Sequence, residues 1–173
     1  DKLKEIEDSI IEAAEGAGFN RSGYFRIEEL NDLQKSVFIE RHLASPALTK
    51  IDKNRGVIVG EGEFSSILVN EEDHLRIQSL SSGFDPVKAW EEADGVDDRM
   101  SRAVPFSFSK TYGYLTACPT NFGTGLRMSV LIHLPALVIT KDIQRMIRSS
   151  APIGLTVRGY YGEGSDVIGN LFQ

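Results

Sequence analysis

Cysteine is nearly missing from this chain. The single one, Cys118, leaves no disulfide to form within it, and a reducing, cytoplasmic setting is the simpler reading. Long apolar runs are missing too: none approaches the ~18 residues of a membrane-crossing helix, so no membrane partner is expected. Basic charge is short, with 19 Lys and Arg against 25 Asp and Glu. The resulting net charge of −6 argues against a nucleic-acid partner, which would call for a clustered basic face. An anionic ligand must then be met by locally concentrated cations. Histidine numbers 3, and no His/Cys cluster has zinc spacing. The start, Asp1-Lys2-Leu3-Lys4-Glu5, shows neither a signal-type apolar segment nor an initiating Met, so a fragment is expected. What remains is ordinary: 173 residues, 41% hydrophobic, enough for one domain with a real core, taken as residues 1–173.

Hydrophobic spacing organises the chain. Leu3, Ile6, Ile10, Ala13 and Ala17 recur at helical period and stop at Gly16 and Gly18, with a turn at Asn20 to Gly23. A second amphipathic helix is expected from about Ile27 to His42. Val57-Ile58-Val59 and Ile67-Leu68-Val69 flank a Gly-rich connection and read as a hairpin, followed by a strand-like alternation from Glu72 to Leu80. Asp85-Pro86 starts a helix running to about Met100, with Val87 and Trp90 inward. Phe106 to Phe108, Gly113 to Thr116, Leu126 to Leu134, Leu155 to Arg158 and Val167 to Phe172 read as further strands. Thr140 is the expected cap of a helix with Ile143, Met146 and Ile147 on its buried side. Hairpins with helices set between them point to α+β, a mainly antiparallel β-sheet flanked by α-helices.

Three stretches pair an arginine with a group suited to handling a guanidinium. They are Asn70-Glu71-Glu72-Asp73-His74-Leu75-Arg76, Cys118 through Arg127, and Arg158-Gly159-Tyr160-Tyr161-Gly162-Glu163. Strand parity puts Glu72, His74 and Arg76 on one face, with Glu72 and Arg76 roughly 13 Å apart along the strand. Arg127 and Arg158 would project likewise, so that three strands each send one arginine to a polar face. Arginine forks hold phosphate oxygens and stay charged. Carboxylates such as Glu72 and Glu163 can align a guanidinium and draw off a proton, and a nearby cation would favour a Cys118 thiolate.

These motifs resemble the catalytic domain of the ATP:guanido phosphotransferases, the phosphagen kinases with their glutamine-synthetase-like fold, and most closely its bacterial protein-arginine kinase branch. Asn70 through Gln78, Leu115 through Leu137, and Arg158 through Gln173 carry the resemblance. It implies Glu72, Glu163 and Cys118 as catalytic residues, Glu72 being the better base. It implies Arg76, Arg127 and Arg158 as clamps on the ATP phosphates. Met128, Ser129, Val130 and Leu131, with Gly159, Tyr160, Tyr161, Gly162 and Glu163, fall in its nucleotide-contacting stretches. His42 matches a histidine near the adenine and equally suits a plain helix-end role. ATP is the implied cosubstrate, with Mg²⁺ carried by the nucleotide and no dedicated metal ligands. Arginine-bearing proteins are the implied acceptors, and a homodimer is admitted. An arginine-rich upstream segment and a C-terminal region of the family are not in these residues, so this stretch by itself is expected to be weakly active or inactive.

Blander readings compete at several positions. Glu72 with Arg76 also fits a solvated strand face, and Cys118 a small buried hydrophobe. His74 and His133 suit structural roles, and Trp90 suits the core. Asp94 through Asp98 reads as a solvated helix end and not an EF-hand, and Gly123-Thr124-Gly125 lacks the Lys-Ser/Thr of a P-loop. Two other functions stay open: a small-molecule guanidino kinase, and a catalytically silent nucleotide-binding regulatory module.

Overall fold

The computed structural model describes residues 2–50, 53–161 and 166–173. Two compact units divide the chain, Asp1–Met128 and Ser129–Gln173.

The first unit begins with helix α1, Lys2–Gly16, which buries Ile10, Ile11, Ala13 and Ala14 on one side. Gly18, at φ 94°, lets the chain reverse so that the Phe19 amide returns to the Ala14 carbonyl at 2.9 Å. The turn that follows leads into strand β1, Tyr24–Arg26, which the periodicity did not mark. The helix expected over 27–42 is broken. Ile27–Glu29 is a single 3₁₀ turn, and helix α2 runs only from Asp32 to Glu40. Asn31 is the reason: its side chain accepts from the Gln34 amide while Gln34 accepts from the Asn31 amide, a reciprocal cap that starts a new helix there.

Strands β2 (Gly56–Val59), β3 (Ser65–Val69) and β4 (Leu75–Ser79) complete an antiparallel sheet in the order β1-β2-β3-β4. Val57 lies opposite Leu68, Ile58 opposite Ile67, and Leu68 opposite Arg76. The central strands read as unbroken apolar runs because both faces are covered. Ile58, Ile67 and Val69 join a core with Ile10, Val96 and Met100, while Val57 and Leu68 pack with Ile27, Ala44 and Leu48. Leu75 and Ile77 of β4 join the first core. Period 2 therefore sends Arg76 and Gln78 to the second face.

Helix α3 spans Pro86–Met100, capped as expected by Asp85, whose carboxylate accepts from the Lys88 amide at 3.1 Å. Its packing differs from expectation. Val96 and Met100 near its end are buried, whereas Val87 and Trp90 near its start are 58% and 41% exposed. The short hairpin β5 (Phe108–Ser109) and β6 (Gly113–Tyr114) follows.

In the second unit, strand β7 is only Ile132–His133, so the strand expected from Leu126 is absent before that point. Pro135 opens a short helix α4, Pro135–Ile139, and Thr140 closes it by donating its amide to Ala136 O at 2.9 Å. Thr140 is thus not the cap of helix α5, Ile143–Ser150, which has Asp142 at that position. Strand β8, Leu171–Phe172, pairs antiparallel with β7. Residues 155–158 form no strand, although Arg158 and Gln173 exchange backbone hydrogen bonds of 2.7 and 3.0 Å.

Candidate active site

The site grows from the turn between β3 and β4. Asn70 stands at φ 55°, a left-handed conformation that Asn tolerates better than most residues. Its buried side chain donates to Leu3 O (3.0 Å) and Asn54 O (2.7 Å), and its Oδ1 meets His74 Nδ1 at 2.9 Å. The Asn70 amide donates to His74 O at 2.9 Å and closes the turn. Glu72 and His74 therefore belong to this turn, and the strand alternation starts only at Leu75. His74 takes the structural role considered for it.

The turn also changes the distance between the key charges. Glu72 Oε2 lies 3.7 Å from an Arg76 terminal nitrogen, far closer than an extended strand would allow. Glu71, between Asn70 and Glu72, is buried to 3% side-chain exposure, and its Oε2 sits 2.5 Å from the other Arg76 terminal nitrogen without hydrogen-bond alignment. Ser45 Oγ donates to Glu71 Oε1, and Arg55 donates to the Glu71 carbonyl at 2.8 Å. Arg76 thus spans one buried carboxylate and one half-exposed carboxylate.

A second loop meets this turn. The Ala117 amide donates to Asp73 Oδ1 at 2.6 Å, and Asn121 Nδ2 donates to Glu72 Oε2 at 3.3 Å. Cys118, half-buried, lies between these two contacts, and its carbonyl accepts from Thr116 Oγ1 (2.7 Å) and the Asn121 amide (2.9 Å). Tyr114 and Gly123 exchange backbone hydrogen bonds of 2.9 and 3.2 Å and tie the base of the loop. Glu72 and Cys118 are thereby carried by two loops that hydrogen-bond to each other.

His42 follows α2 at φ 56°. Its carbonyl accepts from Gln78 Nε2 at 2.8 Å, so it lies on the β4 face that carries Arg76. Burial pushes the His42 imidazole below the usual histidine range, which keeps it neutral near pH 7. Arg127 and Met128 are exposed and lie outside any strand. In the second unit Ser129, Val130 and Leu131 precede β7, and Ser129 Oγ accepts from Gln173 Nε2 at 3.0 Å. Arg158 is half-buried, Gly159 is buried, and the Tyr160 and Tyr161 rings meet edge-on at 4.7 Å. The picture of one arginine per strand therefore holds only for Arg76. Gly162 and Glu163 lie outside the described residues.

Sequence reasoning passed over Glu71 and Asn121. A buried acid beside an exposed one is invisible to parity once the segment is a turn. The only available signal was an unusually dense acid run opening on Asn, the residue type that suits a left-handed turn.

The profile described as "ATP:guanido phosphotransferase, C-terminal catalytic domain" matches residues 5–173. The chain belongs to this family. Among curated proteins it is similar to the protein-arginine kinase of Halothermothrix orenii, 44% identical over all of this chain and 50% of that protein. The protein-arginine kinase of Bacillus subtilis is 45% identical over 99% of this chain and 47% of that protein. The chain spans about half the length of these relatives. Among solved structures, the duplicated taurocyamine kinase from Schistosoma mansoni with bound transition state analog components superposes with a TM-score of 0.87 at 24% identity. It covers 98% of this chain and 25% of that one. A lombricine kinase superposes at 0.72, also 24% identical, over 98% of this chain and 50% of that one. These likenesses establish the phosphagen-kinase fold, α+β with an antiparallel sheet.

Proposed function

We propose that this protein is an ATP-dependent kinase that transfers the γ-phosphoryl group to a guanidino nitrogen of arginine residues in proteins. The observation that carries the reading is the juxtaposition of Glu72 with Arg76 on one side and with the Cys118 loop, through Asn121, on the other. A guanidinium acceptor meets its carboxylate there, and an anionic donor meets its cation a few ångströms away. The relatives at 44–45% identity, named for protein arginine, favour that acceptor over a small guanidine.

In the reaction the acceptor nitrogen forms a bond to the γ-phosphorus as the bond from that phosphorus to the ADP oxygen breaks. A guanidinium is a poor nucleophile until it gives up a proton, and Glu72 is assigned to align it and accept that proton. Arg76, Arg127 and Arg158 are assigned to the phosphates, His42 as a neutral ring to the nucleotide, and Cys118 and Glu163 to the acceptor. Among the described residues no group of three or more His, Cys, Asp or Glu side chains is placed to hold a metal ion. Mg²⁺ would arrive on the ATP phosphates and neutralise part of their charge there, with the arginines assigned to the remaining phosphate oxygens. No helix among the described residues is long and apolar enough to cross a membrane.

The test is the full-length protein with Mg-ATP and an arginine-bearing protein, read by mass spectrometry under non-acidic handling. Glu72→Gln is expected to lower transfer by about 10²–10⁴-fold while leaving ATP affinity within a few-fold. Transfer undiminished in that variant removes Glu72 as the base. ATP binding with no transfer by the wild type removes the kinase reading altogether.

A further inference from the structure

We infer that Glu71 is a positioning residue for nucleotide binding: it fixes the guanidinium of Arg76 so that one terminal nitrogen stays turned toward Glu72 and the incoming phosphate. This rests on the kinase reading for the role of Arg76 and goes beyond it in assigning Glu71.

A buried ion pair is a poor source of stability. Desolvating two charges costs about as much as their attraction returns, and a well-packed apolar pair often does as well. Yet Glu71 is held from every side. Ser45 Oγ donates to one carboxylate oxygen, Arg76 pairs with the other at 2.5 Å, and Arg55 fixes the backbone carbonyl at 2.8 Å. The Asn70 side chain, anchored to Leu3 and Asn54, sets the turn just before it. Such a frame suits orientation more than stability.

Arg76 needs orienting. It sits on β4, opposite Leu68, with its side chain one-third exposed, so one end is rooted in the fold and the other reaches solvent. The two ends of its fork are treated unequally. One nitrogen meets a carboxylate that water does not reach. The other lies 3.7 Å from the half-exposed Glu72, a loose pairing that an anionic phosphate can replace. Without Glu71 the guanidinium would keep only its loose pairing with Glu72, and bidentate capture of phosphate would require ordering it anew.

A double-mutant cycle in the full-length protein tests this, with the dissociation constant of Mg-ATP measured by calorimetry and steady-state constants alongside. Glu71→Gln is expected to weaken ATP binding at least tenfold and to raise KM for ATP in parallel, while KM for the arginine-bearing protein stays within twofold. In an Arg76→Ala background the same change is expected to have no further effect on ATP, because Glu71 acts through Arg76. Additive losses in the cycle, or unchanged ATP affinity in Glu71→Gln, overturn the inference. Should Glu71→Gln not accumulate as folded protein, Glu71→Asp takes its place in the same cycle, since the shorter acid keeps the charge and loses the reach. Wild type that binds ATP without transferring phosphate sinks the kinase reading and leaves the positioning role intact. Wild type that does not bind ATP overturns both.

Discussion

At the scale of single residues, charge is placed at two depths. Glu71 and Glu7 are buried carboxylates among cations, whereas Glu72 is half-exposed and loosely paired. Glu7 on α1 accepts from the Tyr24 hydroxyl and from Arg26 Nε at 3.0 Å, with Lys4 Nζ at 3.3 Å from its other oxygen. Burial, the largest single influence, pushes its carboxyl up, but Tyr24, Arg26 and Lys4 together outweigh it and hold the group below the usual range. A depressed carboxyl contributes stability that is full above the unfolded-state value and is lost as pH falls through the folded one. Glu7→Gln is therefore expected to destabilise the fold by about 1–3 kcal/mol at pH 7, since Tyr24 and Arg26 lose their charged acceptor while Lys4 keeps Asp8 at 2.7 Å. The gap to wild type should shrink as pH falls below about 4.5, as followed by urea unfolding midpoints. A gap that widens in acid would contradict the assignment. Spacing along α1 said nothing of this: Glu7 adjoins Ile6 in the helical stripe, and only the arrival of β1 supplies the partners that allow an acid to be buried.

At the scale of elements, caps and turns govern where the chemistry sits. Asp85-Pro86 was legible because a cap acts through residues next to it in sequence, and the helix begins where those letters say. Asn31 acts just as locally, yet the longer apolar period over 27–42 obscured it. Glu72 to His74, in the turn that Asn70 opens, were read as strand for a related reason: the alternation of residue types begins before the extended backbone does at Leu75. The Cys118 loop shows how geometry at a distance holds a site. Gly113 stands at φ 78°, and a Cβ there would come within 2.2 Å of the Gly123 carbonyl oxygen that ties the loop's base. Gly113→Ala is expected to cost about 1–3 kcal/mol through backbone strain and to open that tie. Faster alkylation of Cys118 in the variant, read by mass spectrometry of its peptide, checks the prediction. An unchanged rate would show that the loop is held without the Tyr114–Gly123 bridge.

At the scale of the whole molecule, the acidic balance means that any polyphosphate site must be assembled from a few cations, and the site around Arg76 carries acids as well. An acceptor presented on a protein brings binding energy from surface beyond its guanidinium, which a free amino acid lacks. The full-length protein is accordingly expected to phosphorylate an arginine-bearing protein at least ~10-fold more efficiently, in kcat/KM, than free arginine. Equal efficiencies would favour a small-molecule guanidino kinase. The residue pattern alone determined the family, the α+β class, the apolar strands β2 and β3 and the capped helix α3, because caps, periods and motifs are encoded by near neighbours. Only the tertiary structure decided that Glu72 sits in a turn beside Arg76, that Glu71 is buried against that same guanidinium, and that Asn121 joins the two loops. Contacts across 49 positions of chain depend on how the backbone folds back on itself, and side-chain identity does not record that path.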